Sequence, residues 1–285
     1  MLLLLIRLVS LFNHKTGMFF GCIFGALTPL IANERNKVCK KNIQVCFPHN
    51  TQKTNNRIAQ LALSNIGFGI IETAWAWHRP LQFFLDKCKI NGVEIIEAAK
   101  KNQQGVLLVG AHYSFLEVTA PCISPITSPL TITFKKMRNR RLNDLSKTKR
   151  SRFGKCVEVS NLRTIVKDLR GGGFVWFCPD QDSSQENSVF AEFFGTPAST
   201  TSNVARLCNI TGALPVFVEA RREKGNYIIS FVAFPDWFPS QNQTENAQAL
   251  NIIIQDAVKK CPTQYMWIHR RFKTQPKQTE ASIYD

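Results

Sequence analysis

Apolar and polar positions fall in blocks along this chain, and the period changes from block to block. Residues 1–12, MLLLLIRLVSLF, are almost wholly apolar, and after the polar break Asn13-His14-Lys15-Thr16 a second apolar run extends from Gly17 to Ala32. Neither run alone reaches the ~20 residues of a clean membrane span, though together they have the composition to cross a bilayer or lie in one leaflet. Residues 53–78 put Ile58, Leu61, Leu63, Ile66, Phe68, Ile71, Trp75 and Trp77 on a broad face, which predicts a long helix ended before Pro80. Such aromatics read first as core, but Trp75 and Trp77 also suit a bilayer or an acyl chain.

From residue 89 the pattern becomes strand-helix-strand. Short apolar runs at 90–93, 105–109, 130–134, 174–178 and 214–219 read as buried strands, and 227–233 as an antiparallel one. Helical periodicity fills 94–101, 113–122, 161–170, 200–210 and 243–260. The alternation predicts an α/β fold with a mixed central sheet flanked by helices, preceded by a hydrophobic membrane helix. The expected organisation is an N-terminal membrane anchor at 1–34, one catalytic domain at 35–275, and a disordered tail at 276–285. Arg35, Lys37, Lys40 and Lys41 follow the anchor, and by the positive-inside rule they hold the rest of the chain in the cytoplasm.

Composition sharpens this picture through charge. The 285 residues hold 36 Lys and Arg against 20 Asp and Glu, a formal charge of +16, so the surface seeks polyanions: nucleic acid, anionic lipid headgroups or an acidic protein. No helix-turn-helix, zinc or aromatic-strand signature accompanies the charge, which argues against nucleic acid. The nine cysteines are scattered without a C-x-x-C, so they read as reduced, buried thiols, and no metal site is expected.

The chemistry concentrates in Gly105-Val-Leu-Leu-Val-Gly-Ala-His112-Tyr-Ser-Phe-Leu-Glu117. On one continuous helix His112 and Glu117 would point about 140° apart. With the strand-to-helix turn between them, both can enter the crevice at the carboxyl end of the sheet, where open α/β sheets bind ligands. A carboxylate on one imidazole nitrogen fixes the tautomer, so that the other nitrogen can take a proton from a hydroxyl. After 130–134 comes a basic helix that includes Lys135, Arg140, Arg141, Lys147, Arg150 and Arg152. Most of these read as a solvated face. Arg150 and Arg152, at its end, are placed to point toward His112, where a guanidinium fork suits a phosphate or a developing oxyanion.

Several stretches taken in order resemble the bacterial lipid A late acyltransferases, the lauroyl and myristoyl transferases. They are the apolar N-terminus, NIQVCFP at 42–48, GAHYSFLE at 110–117, RSR at 150–152, FVWFCPDQD at 174–182, SVFAEFFGTPASTT at 188–201, ALPVFVEARRE at 213–223 and QYMWIHRRFKT at 264–274. The His-x4-Glu is shared with the wider glycerolipid acyltransferase superfamily, whereas the PDQD and IHRRFKT blocks are more specific.

The resemblance implies a glycerolipid-acyltransferase-like fold on the cytoplasmic face of the inner membrane. It implies transfer of an acyl chain from acyl carrier protein to a 3-hydroxyacyl hydroxyl on a Kdo-bearing lipid A precursor. No cofactor is expected beyond the phosphopantetheine that the donor carries. Both substrates are anionic, in keeping with the charge. His112 would be the base, Glu117 its orienting acid, and Arg150 an oxyanion stabiliser or phosphate clamp, with Arg152 beside it. Asp180 and Asp182 leave a strand next to the crevice and read either as turn caps or as anchors for Arg150 or a sugar hydroxyl. Arg221, Arg222, Arg270 and Arg271 would meet the acceptor's anionic groups, and Trp267 with the last two also suits a membrane-facing edge. The alternative is another His/acid acyltransferase of glycerophospholipid synthesis, but no Gly-rich, Arg-containing glycerol-phosphate block is present.

Overall fold

The fold is built outward from one short strand. Val106, Leu107, Leu108 and Val109 are β-branched or γ-branched and fully buried, and burying each such side chain stabilises the fold by about 1.5–3 kcal/mol. A run buried on both faces belongs in the middle of a largely parallel sheet. The computed structural model describes residues 2–31, 33–183, 187–276 and 282–284. Among them β1 is Cys88–Asn91, β2 Val106–Val109, β3 Leu130–Phe134, β4 Lys155–Glu158 and β5 Phe174–Phe177. β6 is Ser188–Phe193, β7 Thr196–Thr201, β8 Leu214–Glu223 and β9 Asn226–Ala233. Seven of these strands form one sheet in the order β1-β9-β8-β2-β5-β3-β4. All neighbours are parallel except β8 with β9, the antiparallel hairpin expected at 227–233.

The helices are α1 Leu2–Ser10, α2 His14–Ile31, α3 Asn33–Cys46, α4 Gln52–His78, α5 Gln82–Leu85, α6 Val93–Lys101, α7 Leu116–Ile123, α8 Arg140–Arg150, α9 Leu162–Arg170, α10 Asn203–Thr211 and α11 Gln243–Lys260. Two departures from the expected elements have a local cause. The stretch 188–201 forms a separate hairpin, β6–β7, turned by Phe194 and Gly195 at φ 54° and 74°. Two consecutive left-handed residues are the signature of a type I′ turn. Thr200 and Thr201 end β7, so α10 starts three residues later than its periodicity suggests. β4 is a four-residue edge strand with one buried side chain, too short to leave a pattern.

The apolar N-terminus forms a layer on α4. Gly17, Gly21 and Gly25 line the side of α2 that meets α4: a Cβ at Gly25 would sit 2.4 Å from the Ser64 carbonyl, and one at Gly67 would sit 2.1 Å from the Gly25 nitrogen. The two backbones therefore touch. The opposite stripe of α2, Phe19, Ile23 and Leu27, faces outward with Leu8 and Leu11 of the preceding segment, and Phe19 is 63% exposed. No single helix among the described residues is long and apolar enough to cross a membrane, although α2 and α3, bent by 90°, pass that test as a pair. In place of one continuous N-terminal helix the structure has α1 and α2, both packed on α4. Trp75 and Trp77 are core residues: both are buried, and Trp75 stacks on His14.

At the other terminus the expected disorder does not hold for Ile283 and Tyr284, which pack against the core; Tyr284 Oη donates to Asn42. Residues 277–281 and 285 of that tail lie outside the described residues.

Candidate active site

Two adjacent parallel strands fix the site. The register pairs Val109 of β2 with Phe177 of β5, the last residue of each. His112 and Asp180 each lie three positions beyond, so they leave the sheet side by side at its carboxyl edge. The His112 backbone N–H donates to Asp180 Oδ2 at 2.8 Å, and Nδ1 lies 2.5 Å from Oδ1. An ionised carboxylate only accepts, so Nδ1 carries a ring proton, and the lone pair of the neutral ring is on Nε2.

Asp180 is 3% exposed, and burial opposes its charge. The His112 charge, its two hydrogen bonds and a third from Tyr265 outweigh burial and bring the Asp180 pKa down to about 2. For His112 burial again opposes the charged form; the Asp180 charge and hydrogen bond outweigh it, against repulsion from Arg150, and raise the imidazole above its ordinary value.

Glu117 does not touch His112. It sits in the first turn of α7, which carries it toward the end of α8, where it receives the Arg150 guanidinium. Arg150 Nε donates to both carboxylate oxygens at 3.1 Å, and Nη2 donates to Oε1. Trp77 Nε1 donates to the other oxygen at 3.2 Å. The expected His112–Glu117 pair is therefore two pairs, His112–Asp180 and Arg150–Glu117. Arg150 does turn inward at the end of the basic helix, but its anchor is Glu117 rather than Asp180 or Asp182.

The remaining expected residues divide by burial. Arg152 donates to the carbonyls of Trp77 at 3.0 Å and Arg79 at 2.8 Å, closing the open end of α4 rather than entering the crevice. Asp182 accepts from the backbone and hydroxyl of Thr274, both at 3.0 Å. Arg221 pairs along β8 with Glu219 and Glu223. Arg222 and Arg271, expected to meet the acceptor, are instead engaged with internal partners. Arg222 is buried between α4 and β8, pairing with Glu72 at 2.6 Å and with Asn65, over the rings of Phe68 and Phe115. Arg271 is buried against the Ser199 carbonyl, Thr200 and Asn251. Arg270 is exposed and lies over Tyr284, while Trp267 is buried, its indole donating to Pro262.

Sequence reasoning missed how the IHRRFKT block reaches the site. Residues 264–266 run antiparallel to 112–114: Ser114 N–H donates to the Gln264 carbonyl, and Met266 N–H to the His112 carbonyl, both at 2.9 Å. This lays Tyr265 on Asp180 and brings His269 beside His112, their ring centroids 5.5 Å apart. Asn42 of α3 holds the segment from behind, its amide donating to the carbonyls of Trp267 at 2.6 Å and His269 at 2.7 Å. Gln181 lies between the two imidazoles. The order of the NIQVCFP, GAHYSFLE, PDQD and IHRRFKT blocks was visible; their convergence required the topology.

Chemically the site offers a general base with a fixed tautomer and a guanidinium locked by a carboxylate. Cys178 at the end of β5 is half-buried, and desolvation followed by the Asp180 charge pushes its pKa well up, so it is a poor nucleophile. Residues 1–274 match the family model for bacterial lipid A biosynthesis acyltransferases. The chain is 29% identical over 270 residues to the lipid A biosynthesis palmitoleoyltransferase of Escherichia coli K12, covering 93% of this chain and 87% of that one. It is 31% identical over 274 residues to a lipid A biosynthesis acyltransferase of Haemophilus influenzae, covering 94% and 86%. With the E. coli K12 lauroyltransferase it shares 29% over 260 residues, covering 90% and 85%. The chain is an acyltransferase and belongs to the bacterial lipid A biosynthesis acyltransferase family.

Proposed function

We propose that the protein transfers a fatty acyl chain from acyl carrier protein to the hydroxyl of a 3-hydroxyacyl chain on Kdo2-lipid IVA, at the cytoplasmic face of the inner membrane. The observation that carries this reading is the His112 ring, clamped by Asp180 through Nδ1 so that in the neutral ring Nε2 is the nitrogen able to take a proton. The hydroxyl oxygen attacks the thioester carbonyl as its proton passes to His112 Nε2. Arg150, aimed by Glu117, stabilises the negative charge on the tetrahedral oxygen. Collapse forms the ester, breaks the C–S bond, and returns the proton from His112 to the departing phosphopantetheine thiolate. Direct transfer in a ternary complex needs no acyl-enzyme and no cofactor of the protein's own.

The +16 charge supports two anionic partners, an acidic carrier protein steered by long-range attraction and a lipid bearing phosphates and carboxylates. The outward apolar stripe of α2, followed by Arg35 and Lys37, supports attachment to a membrane surface. The deciding experiment supplies purified enzyme with acyl carrier protein thioester and Kdo2-lipid IVA and reads the acceptor mass. Addition of one acyl chain by wild type and its loss in His112→Ala supports the proposal. Equal transfer to glycerol 3-phosphate or lysophosphatidate, with none to the lipid A precursor, would give the place to the glycerophospholipid alternative.

A further inference from the structure

The atom of His112 that must receive the proton already has a neighbour. Gln181 Nε2 lies 3.1 Å from His112 Nε2 and 3.3 Å from His269 Nε2. A carboxamide nitrogen carries two hydrogens and accepts none. Because Asp180 keeps the proton of a neutral His112 on Nδ1, the Nε2 lone pair calls for a donor, which is the end of the amide that faces it. The second hydrogen goes to His269. Burial, then repulsion from His112, bring the His269 pKa down to about 4, so this ring stays neutral and can accept at physiological pH. Should His112 become an imidazolium, the same amide can turn over and accept through Oε1.

Neither end of this arrangement is loose. Gln181 sits between Asp180, fixed by His112 and Tyr265, and Asp182, fixed by Thr274. His269 is held through its own carbonyl by Asn42. With the backbone pinned on both sides, the amide leaves His112 only by turning its side chain, and His269 remains as its second anchor.

Water and a lipid hydroxyl compete for the same base. A thioester is attacked by either, and an uncovered Nε2 would activate whichever arrived. We propose that Gln181 is a guard on the base: His269 holds its amide across His112 Nε2 until the acceptor hydroxyl displaces it. A water molecule brings no binding energy to offset the lost hydrogen bond. The acceptor does, through the rest of its surface. Gln181 and His269 are positioning residues in this scheme, which rests on the reading of His112 as the base.

The test uses the full-length protein in detergent micelles with the acyl carrier protein thioester alone, then with acceptor added. Gln181→Ala is expected to raise donor-only hydrolysis about tenfold, the scale of one net hydrogen bond, and to raise the ratio of hydrolysis to transfer. His269→Ala, which removes the pivot but not the amide, shifts that ratio the same way by a smaller factor, with kcat for transfer falling less than the ratio rises. Unchanged donor-only hydrolysis in a Gln181→Ala protein that still transfers overturns the guard and leaves the acyltransferase reading intact. Failure of the wild type to transfer to the acceptor strikes that reading instead, and the guard is then judged by nitrogen NMR of labelled histidine. Above the His112 titration, both Nε2 atoms should be unprotonated and both signals should move in Gln181→Ala. A protonated His112 Nε2, or a wild-type spectrum unaltered by the substitution, refutes the arrangement.

Discussion

Asp180 holds His112 twice, once through the backbone N–H and once through the ring, so the carboxylate sets both where the imidazole stands and which nitrogen carries its proton. Asp180→Asn keeps the volume but offers the ring an amide instead of a charge. Its expected cost is roughly 10²–10⁴-fold in kcat, the scale of a lost general base. His112→Ala should fall at least as far. Equal activity of Asp180→Asn and wild type would remove Asp180 from the mechanism.

The same pair has a pH signature. Asp180 is depressed to about 2, so its contribution to stability is complete above the ordinary carboxylate value and lost as pH falls toward 2. His112 is raised, so the gain from its charged form is present below the ordinary 6.5 and lost as pH rises through the folded value. These are two views of one interaction and count once. Catalysis needs the neutral ring, so kcat/KM should climb with pH along a limb centred above 6.5, while the pair's contribution to Tm declines over the same interval. Asp180→Asn should move the limb to lower pH. A limb that stays in place contradicts the assignment.

Arg150 and Arg152 are expected to fail differently. Arg150→Ala should lower kcat strongly with little change in either KM, because the lost group acts on charge that appears only in the transition state. Lysine at 150 recovers part of it, having no fork for Glu117. Arg152→Ala loses two charged hydrogen bonds to the end of α4 and should lower stability by about 1–3 kcal/mol, with kcat near wild type in the folded fraction. A dead, well-folded Arg152→Ala would reverse the two roles.

Arg222 and Glu72 meet in the interior, where removing one partner strands the other's charge. Arg222→Ala and Glu72→Ala should each cost about 3–5 kcal/mol, whereas an apolar pair of matched volume should cost much less. Denaturant melts of the singles and the double check this. If Arg222 binds the acceptor, Arg222→Ala will instead raise the acceptor KM with an unchanged melt.

For the N-terminal layer, the informative changes lie on the outward stripe. Phe19→Ser with Ile23→Ser removes exposed apolar surface and should weaken partition to washed membranes about tenfold or more without loss of Tm. Gly67→Ala does the reverse, forcing α2 from α4 and costing about 1–3 kcal/mol as overpacking. Unchanged partition of the double variant after carbonate and salt washing would place the membrane contact elsewhere.

Much of this architecture was legible, and the misreadings have physical causes. VLLV, LTITF and FVWF announce themselves as buried strands because nothing polar interrupts them. His112 and Asp180 even stand at matching distances past the ends of their strands, a signal that becomes decisive once β2 and β5 are known to be neighbours. Sequence does not say that they are, because β3 and β4 intervene along the chain. Glu117 was given to His112 because it is near in sequence, yet the first turn of α7 sends it to α8. Arg222 was expected to meet the acceptor for a related reason: its buried partner, Glu72, lies on another element far back along the chain, and nothing in the Arg221-Arg222 pair itself reveals which one turns inward.

One asparagine joins chemistry to anchorage. Asn42 belongs to the helix that follows the apolar N-terminal run, yet its amide carries the segment on which His269 rides, and its oxygen takes the Tyr284 hydroxyl. A tilt of α3 against the domain is therefore a displacement of the catalytic crevice, by the length of two hydrogen bonds and no flexible linker. Whatever surface α2 and α3 rest upon becomes part of the enzyme's working geometry, and reconstitution in micelles or in bilayers of different thickness should change turnover even when substrate concentration is held fixed.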